Sequence, residues 1–149
     1  MKAIKVKILV LLGLILISTL SGCWYLAHQD ETLGLKTQAQ IIKEISPQEA
    51  ETLIKNYTDS GNFTIIDVRT PGEFASGHLP QTINLDFRSQ TFNEKLAKLD
   101  KGVPYLVYCQ SGNRSQKVLD IMRELGFRQV YGISGGIAQW SVEGLPIVK

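Results

Sequence analysis

The chain has 149 residues, 44% of them apolar and 20% charged, enough for one domain with a real core and too short for two comfortable ones. That apolar content excludes a disordered chain, and two cysteines are too few for a disulfide scaffold. The formal charge is +2, but without Lys2, Lys5 and Lys7 the basic count falls from 16 to 13 against 14 acids, a net of −1, so no electrostatic signal points to a nucleic-acid partner.

Met1–Lys7 carries three lysines and no acid, and Ile8–Ile17 then reads ILVLLGLILI before Ser18-Thr19-Leu20-Ser21-Gly22-Cys23. A charged start, an apolar run and small residues before a cut site describe a secretory signal peptide. Leu20-Ser21-Gly22-Cys23 resembles a bacterial lipobox, which implies cleavage before Cys23 and acylation of its thiol. Several acyl chains, each worth about 0.8 kcal/mol per buried methylene, supply the two or more signals that stable anchoring requires. The alternative is a single membrane helix, because no formally charged residue occurs between Ile8 and Gln29 and that length spans about 30 Å of hydrocarbon. The polar stretch from Ser18 to Gly22 interrupts it. Both readings keep the lysines in the cytoplasm and export the rest, to the periplasm or the outer cell surface. The expected organisation is therefore a leader over 1–22, a lipidated Cys23 with a tether to residue 40, and a domain over 41–149. Trp24–Gln40 shows no sustained period, and a flexible segment of that length reaches roughly 20 Å.

The domain alternates β-rich runs with capped helices. Ile41–Ile45 is a strand candidate, and Ser46-Pro47-Gln48-Glu49 is a capping box with proline at the first helical position, opening a helix to about Tyr57. Phe63–Val68 reads as a buried strand, and Thr70-Pro71-Gly72-Glu73 repeats the capping pattern for a short helix ending near Gly77. Thr82–Leu85 is a brief strand, Thr91–Leu99 is helical in pattern, and Val103–Tyr108 is another apolar strand. Arg114–Leu125 places Val118, Met122 and Leu125 on one helical face, with Gly126 just past its end. Val130–Ile133 is the last strand and Gly136–Val142 a closing helix. Strands separated by helices imply crossovers, hence a mostly parallel sheet of about five strands covered on both faces: a three-layer α/β fold. Ligands of such sheets sit beyond the carboxyl ends of the strands.

At one such end the chain reads Cys109-Gln110-Ser111-Gly112-Asn113-Arg114-Ser115 and then becomes helical. A short polar loop of this kind can aim successive backbone N–H groups inward as an anion-binding nest, reinforced by the helix dipole. Gly112 permits the positive φ that tight curvature demands, and Arg114 adds a permanent charge at the rim. All of this favours thiolate over thiol. A free cysteine is only about 3% ionised at pH 7, and about 2.7 kcal/mol of differential stabilisation makes most of it nucleophilic. A small buried hydrophobe ending a core strand is the bland alternative for Cys109, but it needs neither the glycine loop nor the arginine.

The chain from Ile41 to Lys149 resembles the rhodanese family of sulfurtransferases. Asp67-Val68-Arg69, Glu73-Phe74 and Gly77-His78-Leu79-Pro80 look like its N-terminal signature, and Cys109–Ser115 looks like its active loop. Gly126-Phe127, Val130-Tyr131, Gly135-Gly136 and Trp140 are similar to its closing segment. The resemblance implies an enzyme that moves a sulfane sulfur from a small anionic donor such as thiosulfate to cyanide or a thiol through a persulfide on Cys109, without a cofactor. The amides from Gln110 to Ser115 would stabilise charge on the terminal sulfur, and Arg114 would hold the anionic part of the donor.

Asp67 and Arg69 end a strand on the side where Cys109 should lie; either they touch the site or, as favoured here, they form a structural network with Glu73. His78 and His28 have no metal-ligand spacing with each other or with Cys109, which argues against a metal site, and Trp140 reads as core. A cysteine phosphatase or arsenate reductase is the chemical rival. Its pattern, however, has five residues between Cys and Arg where Cys109 and Arg114 enclose four, and no acid is placed to protonate a leaving group. A membrane-tethered persulfide carrier or sensor that docks a protein acceptor is the second rival. With Cys23 lipidated, Cys109 would have no internal partner for a disulfide.

Overall fold

The computed structural model describes residues 39–57 and 61–149. The expected leader over 1–22, the lipidated Cys23, His28 and the tether up to residue 38 lie outside the described residues. Among those described, no helix is long and apolar enough to cross a membrane.

Ten elements alternate among the described residues: β1 (Ile41–Ile45), α1 (Pro47–Tyr57), β2 (Thr64–Asp67), α2 (Pro71–Ala75), β3 (Thr82–Asn84), α3 (Phe92–Ala97), β4 (Pro104–Tyr108), α4 (Asn113–Glu124), β5 (Gln129–Ile133) and α5 (Gly136–Val142). The strands form one five-stranded sheet in the order β1-β5-β4-β2-β3, and every pairing is parallel. The expected three-layer α/β architecture is the one observed, with boundaries displaced by a residue or two. Helix ends fray and strands stop where their ladder stops, so the displacement is of the ordinary size.

Side-chain alternation along the strands builds the layers. On β4, Tyr105 and Val107, followed by Cys109, turn to a cluster completed by Phe92 and Leu96 of α3 and by Val118 and Met122 of α4. Leu106 and Tyr108 turn to the other face and meet Ala50 of α1 with Ile137 and Trp140 of α5. Residues such as Leu106, Val107, Met122 and Ile133 are fully buried, each contributing roughly 1.5–3 kcal/mol by removal from water. Strand β4 is buried on both faces, which is why Val103–Tyr108 reads as an unbroken apolar run rather than an alternating one.

Chain order decides where a ligand can enter. From β2 the sheet grows one way to β3, and from β4 it grows the other way to β5. The reversal leaves a crevice at the carboxyl ends of β2 and β4, the usual binding place in open α/β sheets. Asp67 closes β2 beside Tyr108, its register partner on β4, and Cys109 follows immediately.

Candidate active site

Cys109 leaves β4 and the chain curls at once into α4. Gly112, the residue before that helix, has φ 96°, a left-handed conformation that a side chain would strain. The curl points main-chain N–H groups back at the sulfur. Gly112 N lies 3.2 Å from Cys109 Sγ, and the thiol is only 1% exposed. Burial pushes the Cys109 pKa up, but hydrogen bonds from the amides of Ser115, Ser111 and Arg114 and from the Ser115 hydroxyl outweigh it, and the net direction is down. The cradle thus makes the sulfur a better anion than a free thiol, at the N-terminus of a twelve-residue helix whose dipole acts in the same sense.

The Ser115 hydroxyl has one proton and two acceptors. Its oxygen lies 2.9 Å from the Gly112 carbonyl oxygen and 3.6 Å from Sγ. Charge arriving on sulfur can therefore be met by rotation of a hydroxyl already in place. Gln110, Ser111 and Asn113 are exposed, and what Ser111 gives the sulfur is its main-chain amide.

The loop is gripped from behind by the start of α5. Ile137 N donates to the Cys109 carbonyl at 2.9 Å and Ala138 N to the Gln110 carbonyl at 3.0 Å. This approach is so close that a Cβ on Gly136 would stand 2.4 Å from the Cys109 carbonyl oxygen and 2.8 Å from that of Gln110. Gly136 is there because only a bare Cα fits against the active loop. Gly135 and Gly136 both take a positive φ, 72° and 60°, as the chain turns against the loop.

Two arginines reach the loop, and each is matched by a carboxylate. Arg69 is fixed to Asp67 through Nε (2.9 Å) and Nη2 (2.7 Å). The pair is almost fully buried, with side chains 5% and 0% exposed. Arg69 Nη2 also donates to the Gly77 carbonyl at 2.6 Å, and Nη1 reaches Gln110 Oε1 at 3.4 Å. Asp67 and Arg69 therefore form a structural network that touches the loop through one side chain. Glu73 acts on Arg69 through its charge, while its hydrogen bonds go elsewhere. Its two oxygens accept a fork from Arg114, Nη2 to Oε1 at 2.6 Å and Nη1 to Oε2 at 2.9 Å.

Glu73 is doubly employed. It closes the capping box of α2, with Thr70 N (3.0 Å) and Thr70 Oγ1 (2.8 Å) both donating to Oε2. The Arg114 fork, helped by the Thr70 donors against partial burial, holds its carboxyl well below the usual carboxylate range. Arg114 in turn is raised, first by Glu73 and then, against some burial, by the nearby Cys109 sulfur. The guanidinium thus interacts with both the Glu73 carboxylate and the Cys109 sulfur. Sequence reading took Glu73 for a helix cap; the 41 residues separating it from Arg114 carry no local signal of their pairing.

His78 stacks on Phe74 with centroids 3.8 Å apart, and its Nδ1 lies 3.1 Å from the Phe74 carbonyl oxygen. Its main chain pairs with Val148 in an isolated antiparallel bridge, with N–H to carbonyl distances of 2.9 and 2.8 Å, and Trp140 is core at 1% exposure. Among the described residues, no group of three or more His, Cys, Asp or Glu is placed to hold a metal ion.

The comparisons with known proteins bear on this geometry. The family model for the Rhodanese-like domain matches residues 46–143. A sulfurtransferase from Allochromatium vinosum is 30% identical over 100 residues, covering 67% of this chain and 92% of that protein. The thiosulfate sulfurtransferase GlpE of Ectopseudomonas mendocina is 33% identical over 98 residues, 66% of this chain and 84% of that protein. Among solved structures, a rhodanese-related protein from Thermoplasma volcanium superposes with a TM-score of 0.61 at 30% identity, over 71% of this chain and 97% of that one.

Proposed function

The chain belongs to the rhodanese-like family, and from that premise we propose that it moves a sulfane sulfur from a small anionic donor to a thiophilic acceptor through a persulfide on Cys109. One observation carries the reading: the Cys109 sulfur sits inside a curl of main-chain donors, with Gly112 N at 3.2 Å, at the head of α4. In the first step the thiolate attacks the outer sulfur of thiosulfate. A new S–S bond forms, the donor's S–S bond breaks, and sulfite departs with its electron pair. In the second step cyanide or a thiolate attacks the terminal sulfur, and Cys109 leaves as thiolate, ready for another donor. This is covalent catalysis of the ping-pong kind. The loop amides stand to the persulfide anion as an oxyanion hole stands to oxygen, and neither step needs a cofactor.

Intact-mass measurement after incubation with thiosulfate tests the reading. The native protein gains one sulfur and Cys109→Ser gains none; equal labelling of both would overturn it. Adding cyanide then separates two forms of the same chemistry. Repeated turnover marks an enzyme, while a protein that loads one sulfur and stalls is a carrier awaiting a protein acceptor.

The location is part of the proposal. The Leu20-Ser21-Gly22-Cys23 tetrapeptide supports a leader over 1–22, an acylated Cys23 and an exported domain over 41–149 held near a bacterial membrane. Radiolabelled palmitate incorporated by the full chain but not by Cys23→Ser is the expected result; an unlabelled, uncleaved chain in the membrane fraction would favour the single-helix anchor instead.

A further inference from the structure

Arg114 is the only formally charged side chain between Gln110 and Ser115, so it is the cation a donor entering toward Cys109 would meet. Its fork is already occupied. Nη1 and Nη2 both donate to Glu73, and that carboxylate also accepts from Thr70 N and Oγ1. The pair is part-buried, with Arg114 and Glu73 side chains 18% and 33% exposed, so its charges are only partly screened by water. The second arginine at the loop, Arg69, is likewise matched by Asp67. A further carboxylate flanks the curl: Glu44 Oε1 lies 3.9 Å from where a Cβ on Gly112 would stand.

We infer that the Glu73–Arg114 pair sets donor selectivity by charge, masking the loop's one cation and so disfavouring dianionic sulfane donors relative to monoanionic ones. Glu73 is a specificity residue acting through Arg114, and the inference rests on the persulfide reading above. The main-chain donors around Sγ are unaffected by the masking, so the capacity to stabilise a persulfide stays intact while attraction for a doubly charged donor is curtailed. The favoured substrate class is a sulfane donor with at most one negative charge beyond the cradle, such as a thiosulfonate or an alkyl persulfide, over thiosulfate itself. For a thiosulfonate the step balances as it does for thiosulfate: the Cys109 thiolate takes the outer sulfur, the S–S bond breaks, and a sulfinate leaves with the electron pair.

The test compares thiosulfate with benzenethiosulfonate, two donors of the same sulfane sulfur that differ by one unit of charge. Glu73→Gln keeps the capping box, since glutamine serves there as well, and unmasks Arg114. Coulomb energy is linear in donor charge, so the logarithm of the gain for the dianion is twice that for the monoanion. An increase in kcat/KM of about threefold for the thiosulfonate then goes with about tenfold for thiosulfate, carried by KM rather than kcat and shrinking as salt is raised. Arg114→Gln should move the ratio the opposite way, by exposing the Glu73 carboxylate. The double variant, again neutral, should restore a ratio close to that of the native protein. A purely structural role would weaken both donors alike and show no reversal of sign. A ratio that stays flat across all four proteins, while each still loads one sulfur on Cys109, overturns this inference and leaves the proposed reaction standing. Failure of both donors to load the native protein would instead bring down the reaction and the inference together.

Discussion

Two helix starts in this chain are written in almost the same code, Ser46-Pro47-Gln48-Glu49 and Thr70-Pro71-Gly72-Glu73, and the fold uses them differently. At the first, Glu49 accepts from Ser46 N at 2.8 Å and from Ser46 Oγ at 2.9 Å. The serine donors alone account for most of the lowering of its pKa. At the second, the same local hydrogen bonds form with Thr70, yet the largest influence on Glu73 comes from Arg114, on the active loop. Helix α1 starts on an open surface, whereas α2 starts beside the crevice where β2 and β4 end. A capping motif therefore predicts that a carboxylate will be held in place, and its position in the sheet decides what that carboxylate then does.

Burial should rank the consequences, and three substitutions can break or sharpen the ranking. The largest loss is expected away from both boxes, at the pair behind the loop. Arg69→Ala would leave Asp67, which is fully buried, without its cation, and removing one partner of a buried pair costs about 3–5 kcal/mol. Urea denaturation reads this directly; a loss below that of Glu73→Ala would mean that burial does not order these carboxylates.

Glu73→Ala comes next. It removes the carboxylate half of the α2 capping box and orphans a part-buried arginine, together about 2 kcal/mol. Its pH dependence gives a sharper signature. Because the carboxyl of Glu73 is depressed in the folded protein, its contribution is complete above the unfolded carboxylate's pKa, about 4.3, and fades as pH falls toward the folded value. The stability difference between native protein and Glu73→Ala should thus be level from neutral pH to about 5 and narrow below about 4. A difference that widens on acidification would show that the carboxylate is not held ionised by its partners. Glu49→Ala is expected to have the smallest effect, since its cap faces solvent and has no arginine behind it. If it destabilises as much as Glu73→Ala, the Arg114 fork contributes nothing and the two boxes are equivalent after all.

Much of this could be read from the residues in order. Apolar runs, capping motifs and the 3.6-residue period place the ten elements of the described residues, because each is specified by neighbours within a turn or a pleat. The apolar run Val103–Tyr108 is legible as a strand buried on both faces, and Cys109 with Gly112 is legible as a thiol in a tight curl, since a loop that short can turn only where a residue tolerates φ near 96°. Of the network expected for Asp67, Arg69 and Glu73, the first two are joined by hydrogen bonds and Glu73 acts on Arg69 by charge. Asp67 and Arg69 are two residues apart and find each other locally, while Glu73 is drawn to a residue 41 positions away.

The chain's own order, then, determined the elements, the layers, the thiol and the loop that lowers its pKa, for these depend on short-range geometry and on which faces must leave water. That Glu73 meets Arg114 was decided only when the strands paired. Crossover connections bring the ends of β2 and β4 side by side, and no local pattern encodes a contact made across such a distance in sequence. The same holds for Gly136, whose missing side chain has a reason only once α5 lies against the carbonyls of Cys109 and Gln110.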